Sequence, residues 1–411
     1  MPGGDDVNAV VLDVGAGNFR AGFAGEDVPR IFQSSTLKYR SDDIRDVNMD
    51  APNRGAPVNL FACEPYADLR ETITMDVKSG LVELDREAFS DVIRYSFQSN
   101  RGFQFNMSDS PIFLTEPNKH NPKFRKICLE TVFEEYDFPA ISFMNKSVCS
   151  AFSVGKPSGL VIDIGSSMTS IAPVFDGFLM QKPLMEFPQI GGNLLDTILD
   201  EIMKKKKANV VPYYGQDLPG VTRAYSEAAR LAVVREFKHE YCKLSPTPLT
   251  GVPGYVNWNM QPESGTTPCL LPDGTPVDLG MLSQVLPELL FDPAPIRGIP
   301  HMSHIAQGFA GIPAAVAECL NSCDVDVRKP VGSDLILTGG SSLFHNFPER
   351  LLKAMTPLVG KTKVTASPVS IERSSSAWLG GSILASCATF QQLWTSKAEY
   401  EEKGVDVLSR I

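Results

Sequence analysis

A pattern that occurs twice in the sequence restricts the possible folds more than any other feature. VVLDVGAGNFRAGFAG occupies residues 10–25, and LVIDIGSSMTSIAPV occupies residues 160–174. Each copy is a run of β-branched residues that ends in an aspartate, followed by a glycine-containing turn and a second short strand, which predicts a β-hairpin. Because the two aspartates, Asp13 and Asp163, are 150 residues apart, we predict two related domains that share a cleft.

The remaining segments alternate between helical and strand-like patterns. Apolar residues recur at helical spacing in residues 86–99, 192–207, 222–243, 346–358 and 377–394. The run SDLILT at 333–338 predicts another strand, whereas residues 35–76 and 243–281 are rich in polar and turn-forming residues and indicate small irregular subdomains. We therefore predict the α/β class, with crossover helices covering a mostly buried sheet in each domain.

The charge balance and the cysteines argue against several classes of protein. The 411 residues include 38 lysines and arginines against 48 aspartates and glutamates, a net charge of −10, whereas a protein that binds free nucleic acid needs a basic face. The eight cysteines are dispersed and lack zinc spacing, so we expect reduced thiols. The acidic opening MPGGDD and the lack of an apolar run of about 18 residues argue against a secreted or membrane-spanning protein.

Three glycine-containing turns follow predicted strands, where backbone N–H groups can bind phosphate. Residues 15–17 (Gly-Ala-Gly) and 165–167 (Gly-Ser-Ser) are the turns of the two repeats. One such turn is usually structural, but two in tandem favour a clamp on the β- and γ-phosphates of a nucleotide, with the waters of a Mg²⁺ ion held by Asp13 and Asp163. The third turn, at residues 337–342, either packs against an adenine ring or only opens the helix that follows.

Taken in order, these turns resemble the two phosphate loops and the adenosine loop of the superfamily of actins, sugar kinases and Hsp70 ATPases. Several other motifs resemble actin itself. These motifs are AGFAGEDVPR (21–30), PDG (272–274), CDVDVRK (323–329), LTGGSSLF (337–344) and WLGGSILASCATFQQLWTSKAEYEE (378–402). The chain is identified by them as a member of the actin family. The resemblance spans the whole chain and implies an actin-like fold, in which two related α/β domains, made of four subdomains, surround a nucleotide cleft.

The resemblance also implies where the subdomains and the nucleotide contacts lie. Subdomain 1 is expected at 1–34, 77–153 and 375–411, subdomain 2 at 35–76, subdomain 3 at 154–189 and 293–374, and subdomain 4 at 190–292. ATP or ADP is expected in the cleft, with Mg²⁺ held through water by the two aspartates. The positions that match nucleotide contacts are Asp13, Gly15, Ala16, Gly17, Asn18, Arg20, Asp163, Gly165, Ser166, Ser167, Met168, Gly192, Lys238, His239, Gly339, Gly340, Ser341, Leu343 and Phe344.

Some of these matching positions depart from actin. Arg20 replaces a lysine, and His239 replaces a glutamate near the ribose. At the second phosphate loop, Ser166 stands where actin has an aspartate. Most of the groups that only bind nucleotide are kept, so the resemblance still implies that the cleft holds a nucleotide.

Three replacements fall on the groups that support ATP hydrolysis in actin. Lys146 stands where actin has its water-positioning glutamine, Ser170 stands where actin has a histidine, and Ala16 replaces a serine of the first phosphate loop. An ammonium group donates to a phosphate but cannot accept a hydrogen bond from water as an amide oxygen does. We therefore expect a nucleotide holder with slow or absent hydrolysis rather than an enzyme.

Two further segments differ from actin. Residues 35–76 show none of the pattern of the loop by which one actin subunit inserts into the next, which argues against a filament-forming role. Residues 204–220 are extra, and they open with the run Lys204–Lys207. This run is read as the solvated end of a helix, with a contact to DNA or a histone tail as the alternative.

One recognition surface matches actin, namely the groove between the two lower subdomains that accepts amphipathic helices. Its matching residues, called the groove residues below, are Phe152, Gly155, Pro157, Leu384, Cys387, Thr389 and Leu393. Such a groove binds a partner helix through residues at helical spacing. The alternative is that these side chains only pack the local core.

A lysine in place of the glutamine, the lack of the inserting loop and a lengthened fourth subdomain resemble the actin-related protein four subfamily. The subfamily resemblance implies a nuclear protein, with the cytoplasm also open. Its members sit beside an actin monomer on the helicase–SANT-associated helix of scaffold or remodeller subunits, in chromatin-remodelling and histone-acetyltransferase complexes, with histones or nucleosomes as further partners and no membrane. Two alternatives stay open. One is a cytoskeletal actin-related protein of a filament-capping or nucleating complex, and the other is an active ATPase of the wider superfamily.

Overall fold

The computed structural model describes residues 9–35, 69–76, 79–98, 102–103, 105–212, 221–250, 268–299 and 302–409. Its strands are β1 (Val10–Val14), β2 (Asn18–Phe23), β3 (Ile31–Ser34), β4 (Ile73–Asp76), β5 (Leu81–Leu84), β6 (Ile112–Glu116), β7 (Ala140–Asn145), β8 (Gly159–Ile164), β9 (Met168–Phe175), β10 (Phe178–Leu179), β11 (Met185–Pro188), β12 (Cys269–Leu270), β13 (Pro276–Val277), β14 (Asp334–Thr338), β15 (Lys363–Thr365) and β16 (Thr395–Ser396).

Its α-helices are α1 (Arg86–Phe97), α2 (Lys123–Glu130), α3 (Lys146–Ser153), α4 (Gly192–Lys205), α5 (Arg223–Tyr241), α6 (Leu282–Glu288), α7 (Ala294–Arg297), α8 (Ile312–Ser322), α9 (Val325–Gly332), α10 (Phe347–Val359), α11 (Ser370–Ser374), α12 (Ser376–Ser386) and α13 (Lys397–Lys403). Within the described ranges, none of these helices has both the length and the apolar character needed to cross a membrane.

Two large sheets share one arrangement, which confirms the predicted duplication. The first sheet has the order β16-β7-β6-β1-β2-β3, and the second has the order β10-β9-β8-β14-β15, with β11 also paired to β9. In the first sheet β1 is antiparallel to β2 and parallel to β6, while in the second sheet β8 is antiparallel to β9 and parallel to β14. Each predicted repeat is therefore a hairpin whose first strand lies inside a buried sheet, and the α/β prediction is confirmed.

The two hairpins also share their register. Asp13 pairs with Arg20 across the first hairpin, and Asp163 pairs with Ser170 across the second. Both pairs keep the separation of 150 residues, so Ser170 is the structural counterpart of Arg20. Asp13 and Asp163 are the next-to-last residues of β1 and β8, so each sheet presents one aspartate near the carboxyl end of an interior strand.

The helices follow the predicted segments closely, with one exception. α1, α4, α5 and α10 begin and end within two residues of the predicted bounds. The helix predicted at 377–394 is wrong in its second half: α12 ends at Ser386, Cys387 has extended backbone, and a short 3₁₀-helix and strand β16 follow. The apolar residues continue past the end of α12, so their spacing alone could not reveal that the helix stops there.

The two halves have separate cores that meet at a pair of helices. One core lies under the first sheet and α1, and the other lies under the second sheet and α4, α8 and α10. Between them α3 packs against α12, where a Cβ on Gly380 would overlap the backbone carbonyl of Cys149, so the two helices touch without intervening side chains. Trp378 of α12 is fully buried and donates from its indole to the Val11 carbonyl of β1 at 3.0 Å.

Several predictions fall partly outside the described residues. These include most of predicted subdomain 2 (residues 36–68), part of the extra segment (213–220) and part of the irregular region (251–267). The subdomain boundaries stay predictions. The lysine run does end a helix, since α4 stops at Lys205 and the side chain of Lys204 pairs with Asp200 at 2.7 Å.

Candidate functional site

The three glycine-containing turns lie next to one another, although their residues are far apart in the chain. A Cβ on Gly17 of the first turn would lie 2.8 Å from the Ser166 side chain of the second turn, and a Cβ on Gly339 of the third would lie 2.5 Å from Asp163 Oδ1. Ser341 of the third turn donates its hydroxyl to the Gly165 carbonyl at 3.1 Å. The turns therefore meet at one site between the two halves.

The third turn has a backbone that requires glycine at one position and leaves space at the next. Gly339 has φ of 91°, and its Cβ would collide with the end of β8. Gly340 is exposed, and no atom lies within 4 Å of the place where its Cβ would be. The glycines of these turns allow the close backbone approach that phosphate binding requires. The contact of the third turn with an adenine ring stays a prediction.

Asp13, at the end of β1, is the most heavily bonded side chain of the site. Its Oδ1 accepts from Lys146 Nζ at 3.0 Å and from Thr115 Oγ1 at 2.5 Å, and its Oδ2 accepts from Arg20 Nη1 at 3.0 Å. Burial alone would raise the pKa of this carboxyl, but the two cations and the Thr115 hydroxyl outweigh burial and lower it to about 2. Asp13 is therefore ionised and held by three donors.

Asp163, at the end of β8, has a different environment. It is half-buried, and among the described residues no lysine or arginine forms an ion pair with it. Burial raises the pKa of its carboxyl and Asp13 raises it further, while Lys146 and Arg20 act in the opposite direction without contacting it. This carboxylate is the one that remains free to interact with a ligand.

The predicted Mg²⁺ position does not fit the first aspartate. A carboxylate offers about four lone-pair positions, and three on Asp13 already accept from Lys146, Thr115 and Arg20. Two of these donors are cations, which would repel a metal ion held beside them.

Lys238, a predicted nucleotide contact on α5, points into the protein. Its Nζ lies 2.6 Å from Asp196 of α4 and donates to the Gly192 carbonyl at 3.1 Å, and the residue is only 2% exposed. Burial lowers the pKa of this ammonium, while Asp196 opposes the shift. Asp196 also accepts from Arg235 at 2.8 Å, so these side chains join α4 to α5 at the edge of the site.

The other predicted contacts are arranged around the same turns. His239 is exposed on α5, Leu343 is 36% exposed, and Phe344 is buried in the core of the second half. The half-buried members of the first two turns are Gly15, Ala16, Gly17, Asn18, Gly165, Ser166, Ser167 and Met168. The structure thus brings the three turns together, whereas the side chains of Lys238 and Phe344 are directed into the protein. The assignment of these residues as nucleotide contacts stays a prediction.

Behind the second turn lies a polar cluster that was not predicted as a site. Asn118 donates to Ser170 Oγ at 2.9 Å, and Glu186 on β11 pairs with Ser170 across the sheet. The Glu186 atom Oε1 is buried and accepts no hydrogen bond from any described residue. Burial raises the pKa of Glu186 to about 7, although Lys119 and the Asn118 amide favour its charged form.

Comparison with known proteins identifies the family. The actin family model matches residues 4–411 of the chain. The Actin-related protein 4 of Oryza sativa subsp. indica is 31% identical over 451 residues, covering 100% of this chain and 99% of that protein. Those of Arabidopsis thaliana and Schizosaccharomyces pombe are 31% and 29% identical over 450 and 447 residues, and each alignment covers 100% of this chain.

The chain belongs to the actin family. Its fold, with two related sheets and a site at the ends of β1 and β8, is the fold predicted for that family. The predicted resemblance to the actin-related protein four subfamily is also confirmed, because the relatives named above all carry that name.

The groove residues of this actin-family chain lie on α3 and α12 and in the segments that follow these two helices, with Leu393 at the end of the 3₁₀-helix after α12. The Phe152 ring lies close to Gly177. The Gly177 N–H in turn donates to the Pro157 carbonyl at 2.8 Å. Cys387 is exposed, and Leu393 is 57% exposed. By contrast, Leu384 is half-buried and packs against the cluster around Trp378, which is the core role that the sequence left open.

Gly155 has a positive φ of 67° and lies in the turn after α3. The side chain of Thr389 lies outside the described part of the chain. Leu393 is therefore the described apolar side chain that this surface exposes most, and Leu384 contributes mainly to packing.

Sequence reasoning missed several residues that support the site. Thr115 and Ser375 bond to Asp13 and Arg20 but are distant in sequence, and nothing in their local pattern marks them. The sequence could have predicted a buried partner for Asp196, because an aspartate among the apolar residues of an amphipathic helix needs one. Glu186 stands in a short strand whose pattern carries no such signal.

Proposed function

We propose that this actin-family chain is a structural, nucleotide-holding subunit of nuclear chromatin-remodelling or histone-acetyltransferase complexes. The observation that carries the proposal is the placement of Lys146 at Asp13, where actin has a water-positioning glutamine. A group that only donates holds a phosphate and does not orient water for attack. The family relationship to proteins named Actin-related protein 4 supports the assignment to this subfamily.

The proposed ligand is ATP or ADP, which is bound by the first two turns and by the open face at Gly340. ATP hydrolysis should be slow because three groups are replaced at once. Ala16 lacks a hydroxyl, Lys146 points to Asp13 and the Val14 carbonyl, and the Ser170 hydroxyl is already bonded by Asn118. Groups that activate or orient a reactant each typically contribute about 10²–10⁴-fold to a rate.

The test is to measure the nucleotide content of the purified protein and its single-turnover phosphate release. We expect about one adenine nucleotide per chain and phosphate release far slower than that of a sugar kinase run in parallel. Lys146→Gln should rescue little turnover, since Ala16 and Ser170 are unchanged. Protein that copurifies without nucleotide and binds none would contradict the proposal, and brisk turnover would favour the active-ATPase alternative.

The proposed partners are an actin monomer and the helicase–SANT-associated helix of a scaffold or remodeller subunit, with histones or nucleosomes as further contacts. The exposed Leu393 supports a surface that accepts an amphipathic helix. A charge at this position would be buried against apolar atoms of the helix and should reduce binding at least about tenfold.

Leu393→Asp is a cleaner variant than Leu384→Asp, because Leu384 also packs the core. The matched control is Leu358→Asp, since Leu358 is 53% exposed and is not one of the groove residues. The measurement is a pull-down of the chain and actin by an immobilised scaffold-helix peptide. Equal capture of both folded variants would exclude the groove as the docking site.

The cytoskeletal alternative makes a different prediction for the same protein. A filament-capping or nucleating subunit should pellet with actin filaments, whereas the proposed subunit should copurify with remodelling or acetyltransferase complexes from nuclear extract. Cosedimentation, together with mass spectrometry of affinity-purified complexes, distinguishes the two.

A further inference from the structure

The bonds around Asp13 define a charge arrangement that needs no metal ion. Both carboxylate oxygens are engaged, Oδ1 by Lys146 and Thr115 and Oδ2 by Arg20, and the residue is only 2% exposed. The three donors come from different elements, because Thr115 lies on β6, Arg20 on β2 and Lys146 on α3. The site is therefore built by the fold rather than by one local segment.

The Lys146 ammonium is fixed at the base of the first phosphate turn. Its Nζ donates to the Val14 carbonyl at 2.6 Å as well as to Asp13, so two of its three N–H groups are used. A Cβ on Gly15 would lie 3.9 Å from Nζ, and the Lys146 side chain keeps 19% exposure. The third N–H is left to donate to an anion held by the turn.

The charges of the site balance without a divalent cation. Asp13 and Asp163 contribute two negative charges, and Lys146 and Arg20 contribute two positive charges. A Mg²⁺ ion would enter next to two cations, and one of its two expected carboxylates already accepts three hydrogen bonds. Because Mg²⁺ keeps a rigid octahedral shell of waters and oxygens, it cannot share this crowded carboxylate easily.

We propose that Lys146 takes the place of the divalent cation, so that this chain binds its nucleotide in a metal-independent manner. The inference rests on the proposed nucleotide site and adds the identity of the counter-ion. The ammonium donates its remaining N–H to a terminal phosphate oxygen from the base of the first turn, while Asp13 holds the ammonium in place and Arg20 pairs with the other carboxylate oxygen of Asp13. A charge-assisted N–H···O bond supplies the attraction that a metal would otherwise provide.

The test measures the affinity of nucleotide-free full-length protein for ATP and for ADP by isothermal titration calorimetry, with excess EDTA and with excess Mg²⁺. Wild-type protein should give affinities within about threefold of each other in the two buffers, a difference of about 0.65 kcal/mol. Lys146→Gln should lose about tenfold or more in EDTA and regain part of it with Mg²⁺. Lys146→Arg, which keeps the charge, should lose less.

The matched control is Lys156→Gln, which removes one lysine charge just beyond the other end of α3. Lys156 pairs with Asp334 at 3.5 Å, is 38% exposed and contributes nothing to the site, so this variant should bind as the wild type does. A wild-type protein that loses its affinity in EDTA and recovers it with Mg²⁺ would overturn the inference and leave the proposed nucleotide binding intact. Absence of binding in both buffers would instead overturn the proposed function.

The wild-type comparison requires no variant to fold. Should Lys146→Gln bind in EDTA as tightly as the wild type, Lys146 is not the counter-ion, and the inference is again overturned. Circular dichroism and thermal unfolding of each variant establish that the measured losses arise in the site.

Discussion

The two hairpins have the same backbone and opposite electrostatics. β1–β2 and β8–β9 share register and turn position, and each presents an aspartate beside the cleft. In the first hairpin Arg20 faces Asp13, and the pKa of Asp13 is lowered to about 2. In the second hairpin Ser170 faces Asp163, and burial raises the pKa of the Asp163 carboxyl.

The difference shows which parts of a duplicated unit are constrained by the fold. Alternating β-branched residues and a glycine at the turn suffice to build the hairpin twice, so these features recur in both copies. The residue opposite the aspartate has no such role and is free to be a cation or a hydroxyl. One copy thereby becomes an ion-paired support, and the other keeps a carboxylate available to a ligand.

Asparagine substitutions at the two aspartates test the comparison most directly. Asp13→Asn leaves Lys146 and Arg20, whose side chains are 19% and 12% exposed, without a counter-charge. We expect a loss of about 3–5 kcal/mol in the free energy of unfolding, as is typical when one partner of a buried pair is removed. Asp163→Asn should be neutral or stabilising in nucleotide-free protein. Urea unfolding followed by circular dichroism measures both, and equal losses would contradict the asymmetry.

A pH experiment on Glu186 extends the comparison to the strand behind the second hairpin. The pKa of Glu186 is about 7 in the folded protein against 4.5 in the unfolded protein. The free energy of unfolding is therefore unaffected by this ionisation below about pH 4.5, and it falls as the pH rises through 7. Glu186→Gln should therefore stabilise the protein by about 2–3 kcal/mol near pH 8 and much less near pH 5. Urea unfolding at the two pH values checks this. A pH-independent gain would point to packing instead of titration.

The smallest expected effect concerns the support of the first hairpin. Arg20 Nε donates to Ser375 Oγ at 3.3 Å, and Ser375 is 2% exposed. Ser375→Ala should lower the free energy of unfolding by about 1 kcal/mol, because one hydrogen bond to a charged group is lost. The control is Ser374→Ala, which removes a hydroxyl that donates only to the Ile371 carbonyl of its own helix. No difference between the two variants would show that Ser375 does not hold Arg20.

The elements that could be predicted are those with a strong local pattern. The hairpins and β14 follow from β-branched runs that stop at glycine, and α4 and α10 follow from regular apolar spacing. The end of α12 could not be predicted, because the apolar residues continue into the 3₁₀-helix. Hydrophobic spacing indicates which face is buried, but it does not distinguish helix types over one or two turns.

The backbone of the site was more predictable than its side-chain bonds. Glycines at 15, 17, 165 and 339 mark turns by a local steric requirement, and the repeat indicates that two of them face each other. The triple bonding of Asp13 depends on where β6 and α3 come to lie, over 100 residues along the chain, and local sequence does not carry that information. This is why the ion pairs of Asp13 could not be predicted from the sequence.

The close contact between α3 and α12 lies near the middle of α3, so we expect α3 to tilt about this point if one of its ends is displaced. Helix α3 has eight residues and is about 12 Å long, and it touches Gly380 through Cys149, near its middle. Lys146 stands at one end, beside the cleft, and Phe152 stands near the other, beside the groove. A short helix does not bend, so we expect any ligand that shifts Lys146 to tilt the whole helix and move Phe152 in the opposite direction.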